Sequence, residues 1–273
     1  MKVYDTLSQD DIASNIEIYK DDLLNEKVLF FNTVELSHEE IADFLPLLDQ
    51  QCTDRRVEYL NNQQHEGLLR APSSITVDEQ EDFVFRNWHC DNSLAENPHC
   101  QIPVIISMRM DTLKCDRDLS KTLFVDTKKM LDNAPRDLVD WMKGTYFIDL
   151  MGYENEGKIP YVSNDDLVKP LRAFPSIMTH EVTGFNHFVL MSQKYSFFPE
   201  NKTMEEKYRL YVKDYLSDYN NMDIITWNEG SLVVWDNRSV IHSFQAGWQD
   251  DERIFTRYQF GFTLPFYRPE ESM

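Results

Sequence analysis

The stretch Asn87-Trp88-His89-Cys90-Asp91-Asn92 sets an imidazole and a carboxylate two residues apart. Apolar and aromatic residues lead into it (Phe83, Val84, Phe85, Trp88), which predicts a buried strand running up to His89. On a strand, residues i and i+2 project from the same face. His89 and Asp91 therefore stand side by side, and Cys90 points away. An imidazole and a carboxylate on one face supply two members of a facial triad, which suits non-haem Fe(II) once a second histidine arrives from elsewhere. The triplet by itself also fits a hydrogen-bonded pair at a strand end, since a His-x-Asp spacing arises easily by chance.

A second polar constellation lies near the C-terminus. The segment from Gly230 through Leu232, Val233, Val234 and Trp235 reads as a glycine-initiated turn and a buried strand. A polar turn follows at Asp236-Asn237-Arg238, then a second strand carrying His242. A polar trio after a buried strand commonly makes a turn with side-chain caps, and this reading gives it no chemical role. Arg253 and Arg257 follow, four residues apart on a predicted final strand, so both face the same side. Two guanidiniums entering a protein interior are costly unless anions meet them. Those anions could be buried aspartates or glutamates, or groups on a ligand.

Together these residues resemble the TauD/TfdA family of Fe(II)- and 2-oxoglutarate-dependent dioxygenases. That family carries a Trp-His-x-Asp strand, a Gly-Asp-x-x-x-Trp-Asp-Asn-Arg-like strand leading to a distal histidine, and two arginines four apart. All three occur here in order, and the resemblance runs from about residue 27 to 267. The strand-then-helix portion from Val28 through Ser37, His38, Glu39 and Glu40 also looks like the N-terminal part of the family.

The resemblance implies that His89, Asp91 and His242 hold Fe(II), with 2-oxoglutarate and O2 completing the chemistry. It implies that Arg253 binds the distal carboxylate of 2-oxoglutarate, a role for which a planar bidentate cation is well suited. Thr122 matches a family threonine that hydrogen-bonds the same carboxylate, although Leu119-Ser120-Lys121 precede it here in place of the usual glycines. Arg257 would then meet that carboxylate or an acidic group on the substrate. Oxidation by hydroxylation or desaturation, with release of succinate and CO2, would act on a small molecule such as an amino acid, carboxylate or natural-product intermediate. Two further readings stay open: a protein side-chain hydroxylase of the same fold, and a non-catalytic jelly-roll binding module.

The elements that must position these groups are legible in outline. Ser8 caps a helix over 8–25 with Ile12, Ile16, Tyr19 and Leu23 on one face. Val28–Phe31 reads as a strand, and Ser37 with Glu40 forms a capping box for a helix bearing Ile41, Phe44 and Leu47. Further strands are predicted at 101–110, 122–125, 145–151, 224–227, 232–235, 240–244 and 254–263, with helices at 126–143 and 203–219 and a hairpin from Ile177 to Met191. Pro103 belongs at a sheet edge or near the start of its strand. Polar, aperiodic stretches at 52–80 and 152–172 read as loops, of which 60–80 and 152–170 are expected to border the active-site mouth. The resemblance implies that the first borders the substrate, which makes His65 a candidate substrate contact. His38 reads as a solvated residue, His99 as a loop residue, and His180 and His187 as core or edge histidines.

Many short strands with interleaved helices fit a mainly β protein with a jelly-roll core flanked by helices. The resemblance specifies a distorted double-stranded β-helix within a single domain over 1–273, comprising an N-terminal portion at 1–50 and a barrel core at about 83–265. The formal net charge of −20 argues against nucleic acid or an anionic membrane as partner. Four scattered cysteines (Cys52, Cys90, Cys100, Cys115) without a paired motif read as reduced thiols. With no apolar signal core and no apolar run long enough to span a bilayer, the expectation is a cytoplasmic protein, with homo-oligomerisation left open.

Overall fold

Strand Leu232–Asp236 is buried along its whole length because both of its faces are covered. Around it the chain builds layers. The computed structural model describes residues 1–49, 52, 55, 57–61, 88–91, 102–116, 120–149, 161–162, 169–170, 173–190, 195–244, 253–263 and 266–268. In chain order the strands are β1 Lys2–Leu7, β2 Val28–Val34, β3 Val57–Asn61, β4 Ile102–Leu113, β5 Lys121–Asp126, β6 Tyr146–Asp149, β7 Tyr161–Val162 and β8 Lys169–Pro170. They continue with β9 Ala173–Pro175, β10 Ile177–Thr179, β11 Asn186–Phe188, β12 Tyr195–Phe198, β13 Asp223–Thr226, β14 Leu232–Asp236, β15 Val240–Phe244 and β16 Arg253–Thr263. The helices are α1 Gln9–Glu26, α2 His38–Leu48, α3 Thr127–Asp132, α4 Arg136–Met142 and α5 Lys202–Ser217.

The main sheet has the order β1-β2-β14-β4-β16-β3. Its pairings are antiparallel except for β1 with β2. A smaller sheet, β13-β5-β15, faces it. Period-two alternation sorts the side chains between layers. On β14, Leu232 and Val234 join Leu29, Phe31, Tyr258 and Phe260 beneath α1 and α2. Val233 and Trp235 point the other way and meet Phe124, Ile225, Trp227 and Val240 between the two sheets. Beyond the small sheet, Val125 and Ile241 pack on Met130, Leu138, Tyr208 and Val212 from α3, α4 and α5. The result is a jelly-roll core of two facing sheets, with helices on both outer sides; among the described residues the strands do not close into a barrel.

Local chemistry accounts for the helix starts. Ser8 with Asp11 and Ser37 with Glu40 form complete capping boxes at α1 and α2. The single helix predicted over 126–143 is instead two short ones. Pro135 lacks an N–H and disfavours helical geometry at the residue before it, so α3 ends and α4 restarts with Pro135 as its N-cap. β1 was not predicted from sequence. It adds an outer parallel strand along β2, with Lys2 opposite Leu29 and Leu7 opposite Val34. Pro103 sits at the second residue of β4, opposite Phe262, in keeping with a place near a strand start. No helix among the described residues is long and apolar enough to cross a membrane, and the described cysteines Cys52, Cys90 and Cys115 form no disulfide with one another.

Candidate metal centre

Strand β15, which follows β14 after a tight turn but pairs in the opposite sheet, carries the site. His242 lies on β15, in register with Phe124 of β5. Its ring is held among Phe124 and Trp235, with centroids 6.0 and 5.1 Å away. The segment before β4 joins β15 through one antiparallel bridge, His89 opposite His242. Two backbone hydrogen bonds make that bridge: His89 N–H to His242 O at 3.1 Å and His242 N–H to His89 O at 2.9 Å. Trp88 and Cys90 turn outward into the helix-side core. His89 and Asp91 turn to the opposite face, as an i, i+2 spacing on an extended chain requires.

Three ligand atoms, one each from His89, Asp91 and His242, lie within 4.8 Å of one another. Nε2 of His89 is 3.5 Å from Oδ1 of Asp91, and Nε2 of His242 is 3.7 Å from Oδ2. Atoms so spaced can all sit within about 2.8 Å of one point, close to the ~2.0–2.2 Å of nitrogen and oxygen ligands to a transition metal. Oδ2 of Asp91 and Nδ1 of His242 are buried and have no hydrogen-bond partner among the described residues. A buried carboxylate oxygen in that state is expensive unless a cation meets it. The donor set and the orphaned oxygen both fit a divalent metal.

Electrostatics points the same way. Burial would raise the pKa of Asp91, but the Arg257 guanidinium, His242 and His89 overcome it and hold the carboxyl well below its usual range. Burial pushes His242 down to about 3, with Asp91 opposing. At neutral pH the pair is therefore carboxylate and neutral imidazole, the protonation states a metal needs.

Arg257, Arg253 and Thr122 face the same space between the sheets. Arg257 lies opposite Met108 and places Nη2 2.8 Å from Oδ1 of Asp91. Arg253 lies opposite Leu113 and is 2 % exposed; both cross-strand neighbours pack against the inter-sheet core. Burial lowers the Arg253 pKa to about 10, with Cys115 acting in the other direction, so the group stays cationic at neutral pH. Thr122 lies opposite Phe244, one same-face step along β5 from the Phe124–His242 pair. Its Oγ1 accepts the indole N–H of Trp227 at 2.9 Å, which leaves the hydroxyl proton available for an anion. His65 and His99 lie outside the described residues, as do Phe83–Asn87, most of 52–80 and most of 152–172.

The remaining histidines have structural partners. His38 is exposed, as expected, while its Nδ1 meets the hydroxyl of buried Tyr258 and its Nε2 lies 3.7 Å from Asp111. Helix α2 packs close enough to β16 to bring them together. His180 accepts two backbone N–H groups at Nδ1 and so donates from Nε2 to Asp236, at 2.8 Å. His187 is pushed down to about 4 by burial and pairs with Thr127.

Sequence reasoning missed Asn237 and Trp227. Asn237 accepts the Asp91 N–H at 3.0 Å and donates to the Asp91 carbonyl at 2.8 Å and the Pro103 carbonyl at 3.0 Å. Its position in a polar turn carries no sign of a partner 146 residues away.

A jelly-roll core that brings half-buried His89, buried Asp91 and buried His242 together between its sheets defines a candidate non-haem metal centre. The model of the taurine catabolism dioxygenase TauD, TfdA family matches residues 4–259, and the chain belongs to that family. It is an Fe(II)- and 2-oxoglutarate-dependent dioxygenase that uses O2. Among solved structures, a taurine dioxygenase from Burkholderia xenovorans is similar at 16% identity and TM-score 0.63, over 95% of this chain and 84% of that one. AAD-2 in complex with Mn(II) and N-oxalylglycine is similar at 15% identity and TM-score 0.66, over 98% and 94%. At such identities these likenesses show the fold. No curated protein matches the chain.

Proposed function

We propose that the chain oxidises a small anionic molecule, such as an amino acid, a carboxylate or an acidic natural-product intermediate, with release of succinate and CO2. His89, Asp91 and His242 would hold the iron. Arg253 and Thr122 would hold the distal carboxylate of 2-oxoglutarate. The observation that carries the substrate class is Arg257: it enters the same space as the triad, and its buried Nε has no hydrogen-bond partner among the described residues. A half-buried guanidinium that meets Asp91 through Nη2 and keeps a buried N–H to spare favours a further anion.

Bound iron with 2-oxoglutarate supplies the oxidant for a C–H bond. The protein's own part is to hold, orient and exclude. Burial keeps His242 neutral and ready to ligate. Phe124 and Trp235 fix its ring and exclude water from that side. The Trp227 indole orients the Thr122 hydroxyl so that its proton, not its lone pair, faces an incoming carboxylate.

A succinate-release assay with 2-oxoglutarate and a panel of amino acids and small carboxylates tests this. An acidic member should raise succinate release above the substrate-free rate, and His242→Ala should abolish it. Stimulation by peptides alone would move the assignment to a protein side-chain hydroxylase. Absence of succinate under every condition would leave a binding module.

A further inference from the structure

The three ligands are positioned by three different devices, and the one that holds Asp91 is a side chain. His242 is placed by its own strand, and His89 by two backbone bonds to His242. In an antiparallel ladder the backbone groups of residues i and i+2 point to the same edge. The next hydrogen-bonding position after His89 is therefore Asp91. There the N–H and C=O of Asp91 are both met by the carboxamide of Asn237, at 3.0 and 2.8 Å. A carboxamide presents one acceptor and one donor side by side, as a backbone unit does. Its second N–H ties to the Pro103 carbonyl at 3.0 Å, anchoring it to β4.

The turn bearing Asn237 is itself rigid. Asp236 accepts from the Arg238 backbone N–H and Nε at 2.9 Å each, from Arg238 Nη2 at 2.7 Å and from His180 Nε2 at 2.8 Å. Arg238 also reaches Asp49, at 3.0 Å, after α2. Asn237 is 1 % exposed, so its bonds do not compete with solvent. We infer that Asn237 is a positioning residue for the metal centre: it sets where the Asp91 carboxylate stands relative to the two imidazoles, and thereby the metal affinity. This rests on Asp91 being a metal ligand. Partners that orient ligands in this way typically contribute 10–100-fold in metal affinity when removed.

Co(II) titration of the full-length protein, followed by its d–d absorption, tests the inference alongside thermal melting of the metal-free protein. Asn237→Ala and Asn237→Ser should weaken Co(II) binding by about 10-fold or more and change the shape of the d–d bands. Ser176→Ala is the comparison: it removes a buried hydroxyl bonded to Met142 O and Thr145 O, on the helix side of the molecule. It should lower the melting temperature without moving the Co(II) affinity. If Asp91→Ala binds Co(II) as the unaltered protein does, the ligand assignment fails. If Asp91→Ala loses Co(II) while both Asn237 variants keep full affinity and only melt earlier, Asn237 holds the fold alone and the inference is overturned. If neither Asn237 variant folds, the side chain is a requirement of the fold and the inference is likewise overturned.

Discussion

The guanidinium of Arg257 lies 2.8 Å from Oδ1 of Asp91, although 166 residues separate them in the chain. The contact leaves Oδ2 without a hydrogen bond among the described residues and directs it toward His242. One carboxylate oxygen is thus neutralised by a cation on β16, and the other is left for a metal. The cation proposed to bind substrate, Arg257, and the proposed metal ligand, Asp91, are coupled.

Removing Arg257 should therefore have two effects. Burial raises the Asp91 pKa, and Arg257 is the largest influence opposing it. A depressed carboxyl pKa makes the ionised state available down to low pH, and loss occurs as pH falls through the folded value. In Arg257→Leu, loss of Mn(II) on acidification should begin at higher pH than in the unaltered protein. KM for an anionic substrate should also rise. Mn(II) titrations at stepped pH, with KM measured separately, check both. An acid limb that does not move would show that Arg257 leaves Asp91 unperturbed.

The triad itself makes the simplest prediction. His89→Ala, Asp91→Ala and His242→Ala should each abolish turnover and lower bound iron while far-UV circular dichroism stays unchanged. All three side chains are at the inner face, so truncation removes ligands without emptying the helix-side core. Full iron content in any of the three would remove that residue from the ligand set.

Arg253→Leu should raise the 2-oxoglutarate requirement about tenfold or more, as expected for a charge-assisted pair worth about 1.5–3 kcal/mol. Trp227→Phe, which removes the donor to Thr122, should act in the same direction by a smaller factor. Kinetics with each substrate varied in turn separate this from the Arg257 effect. Unchanged 2-oxoglutarate dependence in Arg253→Leu would refute the cosubstrate assignment.

His187 predicts a pH dependence of stability. Burial lowers its pKa to about 4, whereas in the unfolded chain it titrates near the ordinary value of 6.5. Between those values the unfolded chain binds the extra proton, so stability is full above about pH 6.5 and falls toward about pH 4. Urea unfolding of the metal-free protein should show this decline, by up to about 1.4 kcal/mol per pH unit from this group. His187→Gln should flatten the slope across that window. An identical slope in the variant would assign the decline to other groups.

What the sequence by itself determined is local. Ser8 and Ser37 cap their helices because a capping box needs only neighbours three residues apart. The unbroken apolar run Leu232-Val233-Val234-Trp235 determines a strand covered on both faces, and the i, i+2 spacing of His89 and Asp91 determines that they share one. The second histidine and the arginine pair were legible only through resemblance to a family, since nothing local ties His242 to His89 across 153 residues. Tertiary structure alone decided which oxygen of Asp91 meets Arg257, and that Asn237 holds the Asp91 backbone. It likewise decided that exposed His38 meets the hydroxyl of Tyr258 on a distant strand. These are contacts between strands distant in the chain. Pattern reports which face a residue takes, but the partner on that face is set by sheet order and register, which depend on the whole chain.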